Sequence, residues 1–226
     1  MLNELDHAGQ EHLDAEYVAI YEAKAGYDPV GDVDVLCAHG LDRHATLVDL
    51  GAGTGQFAVA AAGVCRHVTA VDVSPAMLDV MRRRVDALGL HNVTVAPGGF
   101  LSYEHTGPPA DAVFSRHALH QLSDFWKGVA LERVHAMLRP GGTLRLRDLV
   151  YDFEPAEVPD RIEEWLAGAT TDASRGWTAA ELAEHVRDEH GTYRWLLEPL
   201  IEHAGFDILD TVIDRGLYAA YTCRRR

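Results

Sequence analysis

Cysteine is scarce. Cys37, Cys65 and Cys223 are the only three in 226 residues, widely spaced and without a C-x-x-C pair. That argues against a disulfide framework or a cysteine-built zinc site and fits a reducing compartment, so a cytoplasmic protein is expected. Positive charge is also short: 20 Lys and Arg stand against 35 Asp and Glu, a formal net charge of −15. Nucleic-acid binding rests on cations that neutralise phosphates, so no such partner is expected. The two basic runs are brief. Arg82, Arg83 and Arg84 read as an exposed helix face, and Arg224, Arg225 and Arg226 as a solvated tail. Long hydrophobic runs are missing too. The most apolar stretch, Phe57 to Cys65, falls far short of the ~20 residues of a membrane span. The polar, acid-bearing start from Met1 to Asp14 does not read as a signal peptide. Gly and Pro are scattered and no repeat or low-complexity linker occurs, which excludes fibrous and disordered classes. What remains is a globular chain whose 47% apolar residues can fill a substantial core.

The apolar pattern then divides the chain. Tyr17, Ile20, Tyr21 and Lys24 at helical spacing predict a helix over roughly Glu11 to Ala25, and Asp28-Pro29 starts another toward His39. From Thr46 short apolar runs alternate with helical stretches. Strands are expected at Thr46–Leu50, His67–Val73, Val93–Ala96, Asp111–Ser115 and Thr143–Leu149. Helices are expected through Ala62, from Ser74-Pro75 toward Leu88, and over Asp124–Leu138, with Arg139-Pro140-Gly141-Gly142 as a turn. Such alternation implies a parallel sheet with helices on both faces. After Asp148 the rhythm breaks into helical segments near Pro159–Thr170, Thr178–Glu189 and Tyr193–His203. Two strands, Phe206–Asp214 and Leu217–Cys223, close the chain.

The first strand runs into Val48-Asp49-Leu50-Gly51-Ala52-Gly53-Thr54-Gly55. In an open α/β sheet ligands bind beyond the carboxyl ends of strands, where this turn sits, and glycines let the backbone approach closely. A dinucleotide fingerprint needs a small residue where this chain has Gln56, and no G-K-[ST] follows for a P-loop. Asp49 would repel a pyrophosphate and attract a cation. S-adenosylmethionine, with a sulfonium and an ammonium, suits such a loop. Asp72 ends the second strand about 20 residues on, where an acid can hold both ribose hydroxyls; standing alone it would read as a helix N-terminal charge. Pro97-Gly98-Gly99-Phe100 follows the third strand and either meets the adenine or is a plain turn.

These residues resemble the class I S-adenosylmethionine-dependent methyltransferases. The carriers are the Val48–Gly55 segment, Val71-Asp72-Val73-Ser74-Pro75-Ala76-Met77-Leu78, Asp111-Ala112-Val113-Phe114-Ser115 and Leu138-Arg139-Pro140-Gly141-Gly142, in order over residues 46 to 149. His120-Gln121-Leu122-Ser123-Asp124-Phe125-Trp126-Lys127 and His185–His190 look more narrowly like a small, little-characterised branch. The resemblance implies a Rossmann-like, doubly wound, seven-stranded, mostly parallel sheet whose last strand is antiparallel. N-terminal helices would precede it, and a helical insertion would lie between strands 5 and 6. A single domain is expected, with a cap over 1–45, a cofactor-binding core over 46–150, the insertion over 151–204 and closing strands over 205–226. Gly51, Ala52, Gly53, Thr54 and Gly55 would line the methionine part of the cofactor, with Asp49 at its amino group. Asp72 and Val73 would hold the ribose, Gly99 and Phe100 would face the adenine, and Ser115 and Arg116 would sit beside the sulfonium. Many relatives carry an acid where this chain has Gly99.

Methyl transfer from a sulfonium is an in-line displacement that needs alignment and dryness, and a base only if the acceptor keeps a proton. His117 and His120 follow the fourth strand and are candidate bases, with structural packing as the alternative. Candidate acceptor contacts are Tyr17 and Tyr21 of an N-terminal lid, Asp148 at the end of the fifth strand, and His185, Arg187, Glu189 and Tyr193 of the insertion. A solvated charged face is the other reading of this last group. His185, Asp188 and Glu189 share a helical face, but His185 and His190, five apart, do not, so no metal site is expected. The expected function is methylation of a small molecule at oxygen or nitrogen, by a monomer or homodimer without a membrane partner. A protein acceptor, or a silent module that only binds the cofactor, are the alternatives.

Overall fold

The computed structural model describes residues 2–7, 18, 21, 22 and 24–226. Most of the helix expected over Glu11 to Ala25 therefore lies outside the described residues, as does Tyr17; residues 18, 21, 22, 24 and 25 are helical. Four helix-and-strand pairs follow: α1 (Val30–Ala38) and β1 (Thr46–Leu50), α2 (Gln56–Ala62) and β2 (His67–Asp72), α3 (Pro75–Ala87) and β3 (Val93–Pro97), then β4 (Ala110–Arg116) and α4 (Asp124–Met137). Local chemistry sets their ends. The Ser74 hydroxyl accepts from the Met77 amide at 3.2 Å and Pro75 occupies the first helical position, so α3 starts there. The chain continues through β5 (Leu138–Tyr151), α5 (Val158–Ala167), α6 (Ala179–Asp188), the two-residue β6 (Thr192–Tyr193), α7 (Arg194–His203), β7 (Phe206–Asp214) and β8 (Tyr218–Arg225). A reciprocal capping box between Thr178 and Glu181 opens α6.

The main sheet runs β3-β2-β1-β4-β5-β8-β7, and β6 pairs with β5 outside that path. Strands β1 to β5 are mutually parallel where they pair; β8 is antiparallel to both β5 and β7. This is the expected seven-stranded sheet with an antiparallel last strand. Sequence order reverses at β1, which lies between β2 and β4, and such a switch point opens a crevice at the carboxyl ends of the strands. Apolar clusters cover both faces. One includes Leu36, Leu47, Phe57 and Met81; the other includes Val113, Leu131, Ile201 and Tyr221. A third, built on Leu149, Trp165, Leu182 and Leu217, joins α5 and α6 to the end of β5.

Three expectations are corrected. Arg139-Pro140-Gly141-Gly142 lies inside β5, as a bulge: Ala110 pairs with Leu138 and Ala112 with Thr143, so four residues stand opposite Asp111 alone. The turn chemistry is real, with Gly141 at φ 72°, but the strand resumes its ladder beyond it. Tyr193 ends β6 rather than starting a helix, because its backbone pairs with Tyr151. The terminal arginines do not form a solvated tail. Arg224 and Arg225 pair along β8, and Arg226 donates to the carbonyls of Phe206 and Glu202.

Candidate functional site

Two cavities open in the crevice beside β1. Glu4, Asp72, Val73, Gly99 and Phe100 line the first; Asp49, Phe57, Trp165, Trp177, His185 and Tyr218 line the second. Tyr21, Gly51, Gly53, Arg116 and His117 line both, so the cavities meet over the glycine turn.

The amides of Gly51 and Ala52 donate to the Val71 carbonyl at 2.9 and 3.0 Å and tie the turn to β2. Gly51 has φ 73°, and a Cβ there would stand 2.4 Å from the Cβ of Ala118, so only glycine fits. Gly53 differs: at φ 55° its missing Cβ would meet nothing within 4 Å, because it faces the open cavities. Arg84, expected on an exposed face, reaches back to donate to the Thr54 carbonyl at 3.0 Å.

Two carboxylates flank the turn. Asp72 accepts from the Gly53 amide at 2.7 Å and the Ser74 amide at 2.8 Å. Asp49 is 1% exposed, and its Oδ2 has no hydrogen-bond partner among the described residues. Burial, and then the charge of Asp72, raise its pKa well above the usual carboxylate range. A buried, unpartnered carboxylate beside a cavity is a site for a cation.

Behind the second cavity lies a buried polar chain. His120 Nδ1 donates to Asp148 Oδ1 at 2.5 Å and Nε2 faces Glu189 Oε2 at 3.3 Å. Both ring nitrogens thus meet carboxylates, which requires the imidazolium form. Burial opposes that charge; the two acids outweigh it and push the pKa up to about 10. Burial raises the Asp148 pKa, but His120 more than offsets this and holds it at about 2. Glu189 Oε1 also takes bonds from His185 at 2.7 Å and Gln121 at 3.1 Å. Burial works against its charge as well, yet His120 and His185 hold its carboxyl below the usual range. His117, at φ 51°, is lowered to about 3 by burial and by the Arg116 charge, so it is neutral at pH 7.

His120 is therefore no base: it has no lone pair to offer. Of the two histidines expected as bases, only His117 keeps one. His117, His120 and Asp148 also bring ligand atoms within 4.8 Å of one another. Asp148, however, is filled by His120 and by the amides of Ala118, Leu119 and Leu149. That set works as an internal brace of the 117–120 turn, and the donors do not fit a metal.

The cavities gather most of the expected residues. Asp49, Gly51, Ala52, Gly53, Thr54, Asp72, Val73, Gly99, Phe100 and Arg116 line one or both, as do Tyr21, His185 and Glu189. Five others line neither. Gly55 caps α2, with its missing Cβ only 2.6 Å from Met81 Cγ. Ser115 is buried and donates to the Leu50 carbonyl at 2.7 Å. Asp148 serves the brace. Tyr193 stacks on Trp195 with ring centroids 5.3 Å apart. Arg187 is exposed and pairs with Asp188, because the face of α6 that carries His185 inward turns Arg187 outward. Arg187→Ala should leave binding and turnover within about twofold of wild type, as expected for a surface pair; calorimetry and steady-state rates check it. The sequence missed Tyr27, Trp165, Trp177, Tyr218 and Glu4, isolated residues that no motif or spacing marks.

A family model described as a methyltransferase domain matches residues 47–142. The uncharacterized protein YafE of Escherichia coli (strain K12) is 30% identical over 156 residues, 68% of this chain and 67% of that one. The chain belongs to the class I S-adenosylmethionine-dependent methyltransferases. S-adenosylmethionine is this family's cofactor. An uncharacterized methyltransferase of Oceanobacillus iheyensis is 24% identical over 144 residues, 64% of this chain, and the chain spans 62% of that relative's length. A SAM-dependent methyltransferase structure from Aquifex aeolicus shares the fold, with TM-score 0.64 at 18% identity over 94% of this chain and 99% of that one. No helix among the described residues is long and apolar enough to cross a membrane.

Proposed function

We propose that this methyltransferase passes the methyl group of S-adenosylmethionine to a small acceptor at oxygen or nitrogen. The observation that carries the reading is the junction of the two cavities over Gly51, Gly53, Arg116 and His117. The first cavity takes the nucleoside, with Asp72 accepting from the ribose hydroxyls and Phe100 beside the base. Asp49 holds the ammonium of the methionine part, since its Oδ2 has no hydrogen-bond partner among the described residues. The second cavity, past the junction, takes the methionine end at Asp49 and, beyond it under the cap, the acceptor.

When bound, the cofactor supplies an electrophilic methyl on a sulfonium. The chain's own contribution is alignment and exclusion of water. The 151–204 segment acts as a cap, placing Trp165, Trp177, Leu182 and His185 over the second cavity. Lys24 pairs with Glu181 and stands 5.0 Å over the Trp177 ring, and the Tyr21 ring lies 6.3 Å from it, so the N-terminal helix closes against the same cap. These walls favour a mainly apolar, planar acceptor over a protein side chain. His117 is the acceptor's hydrogen-bond partner at the junction; its low basicity suits orienting a nucleophile better than removing a tightly held proton.

Two measurements test this. Titration with S-adenosylhomocysteine should give saturable heat, and a panel of small hydroxylated and amino aromatics should yield S-adenosylhomocysteine on turnover. Binding without turnover on any acceptor would favour the silent module, and labelling confined to macromolecules would favour a protein acceptor. Gly53→Arg should stay folded yet bind no S-adenosylhomocysteine, because the new side chain fills the junction. The left-handed backbone costs it roughly 1–2 kcal/mol of stability. Unaltered affinity in that variant would remove the turn from the site.

A further inference from the structure

Gly99, in the turn after β3, brings no side chain to the first cavity, yet a carboxylate stands beside it. Glu4, in a single helical turn over Glu4–His7, lines the first cavity with Asp72, Gly99 and Phe100 and is only 8% exposed. Its neighbour Leu2 packs against the main core and anchors the segment. Glu4 Oε2 accepts from the Ser102 amide at 2.9 Å and the Ser102 hydroxyl at 2.6 Å, and that hydroxyl accepts from the Gly99 amide at 3.0 Å. Its Oε1 makes no hydrogen bond among the described residues. A Cβ on Gly99 would fall 2.5 Å from that Oε1 and 2.8 Å from the Glu4 carboxyl carbon. A side chain there would press on the Glu4 carboxylate and on Val73 Cγ1, at 2.8 Å, so glycine leaves the room that Glu4 takes.

We propose that Glu4 reads the exocyclic amino group of the adenine, an acid brought beside Gly99 from 95 positions away. The inference rests on the cofactor reading above. With the ribose at Asp72, the base extends toward the Gly98–Phe100 turn, where Glu4 Oε1 is the acceptor at hand. The amino group donates to it, and a 6-oxo base would instead set a carbonyl against a carboxylate. The Glu4–His7 turn is then part of the nucleoside site.

The test compares S-adenosylhomocysteine with its hypoxanthine analogue, which has a 6-oxo group in place of the amine, by calorimetry on the full chain. Wild type should prefer the adenine compound by roughly 10–100-fold, the worth of a charge-assisted hydrogen bond. In Glu4→Ala that ratio should fall by about tenfold, because only the adenine compound loses a partner. Glu4→Gln should tighten binding of the 6-oxo compound, since an amide can donate to its carbonyl; a mere loop brace predicts no such gain. Equal loss for both compounds in Glu4→Ala, or an unchanged ratio in either variant, would overturn the proposal. A wild type that bound neither compound would sink the cofactor reading itself, and this inference with it.

Discussion

Asp49→Asn is expected to make the free protein more stable and to weaken its hold on S-adenosylhomocysteine by roughly 10–100-fold. Both effects have one cause. Asp49 is buried near the end of β1 with one oxygen unpartnered among the described residues, and burial and the nearby Asp72 raise its pKa. A carboxyl whose folded pKa is raised favours the fold below its unfolded value of about 4 and works against it increasingly as pH rises toward the folded value. The amide removes that opposition, so the stability gained by the variant should grow with pH from about 4 upward. Each kcal/mol gained should appear as about 2–4 °C in melting temperature for a chain of this size. The bound ammonium removes the same opposition in wild type, so wild type should gain more from saturating ligand than the variant does. At pH values below the raised pKa of free Asp49, binding should also release a proton from it, seen as a heat that changes with buffer ionisation enthalpy. Melting curves at several pH values, with and without ligand, check all of this. A variant less stable than wild type across that range would show that Asp49 is satisfied in the free protein and is not waiting for a cation.

How much of this the sequence disclosed depends on the range of the interaction. The strand, glycine turn and helix around Asp49, and the Asp72-Val73-Ser74-Pro75 start of α3, are written in neighbouring residues and were legible. The bulge in β5 was not. Gly141 and Pro140 announce a turn, but whether a strand continues past it depends on pairing with β4, which no local signal carries. Helical phase failed in a similar way on α6. Spacing put His185 with Asp188 and Glu189 on one face, yet only packing against β5 decides which residues point inward, and Asp188 is outside with Arg187. Asp148 could be placed at the strand end but not assigned a role, because its partners Ala118, Leu119 and His120 lie some 30 positions earlier. Glu4 was beyond reach altogether. A lone acid in a polar N-terminal stretch carries no signal, and the absence at Gly99 becomes informative only once Glu4 stands beside it.

Glu189→Gln should cost roughly 2–4 kcal/mol near neutral pH and flatten the alkaline side of the stability profile. His120 sits as a buried cation between Asp148, on the core, and Glu189, just past α6 on the cap. Removing one partner leaves that cation half-compensated, which is where the cost arises; the figure is kept below that of a fully enclosed pair because the Glu189 side chain remains 10% exposed. Since the His120 pKa is raised to about 10, its contribution is complete below its unfolded value of about 6.5 and fades as pH climbs through 10. Asp148 and Glu189 have lowered values, so their contributions hold above about 4 and are lost as pH falls below it. Wild type should thus be most stable between about pH 4 and 6.5 as far as this polar chain is concerned, with a decline toward pH 10 that is shallower in the variant, where Asp148 alone still raises the His120 pKa. Urea denaturation of both proteins at pH 5.5, 7, 8 and 9 gives the slopes. Because the His190 amide also donates to the His120 carbonyl at 2.8 Å, and the Lys127 ammonium to the His190 carbonyl, loss of Glu189 should loosen the cap without freeing it. Turnover should then fall more than cofactor affinity does, since Glu189 and His185 line the acceptor cavity and neither lines the nucleoside one. Equal stability of the two proteins at every pH would mean that His120 is neutral in the folded state and that Glu189 does not help to hold the cap to the core.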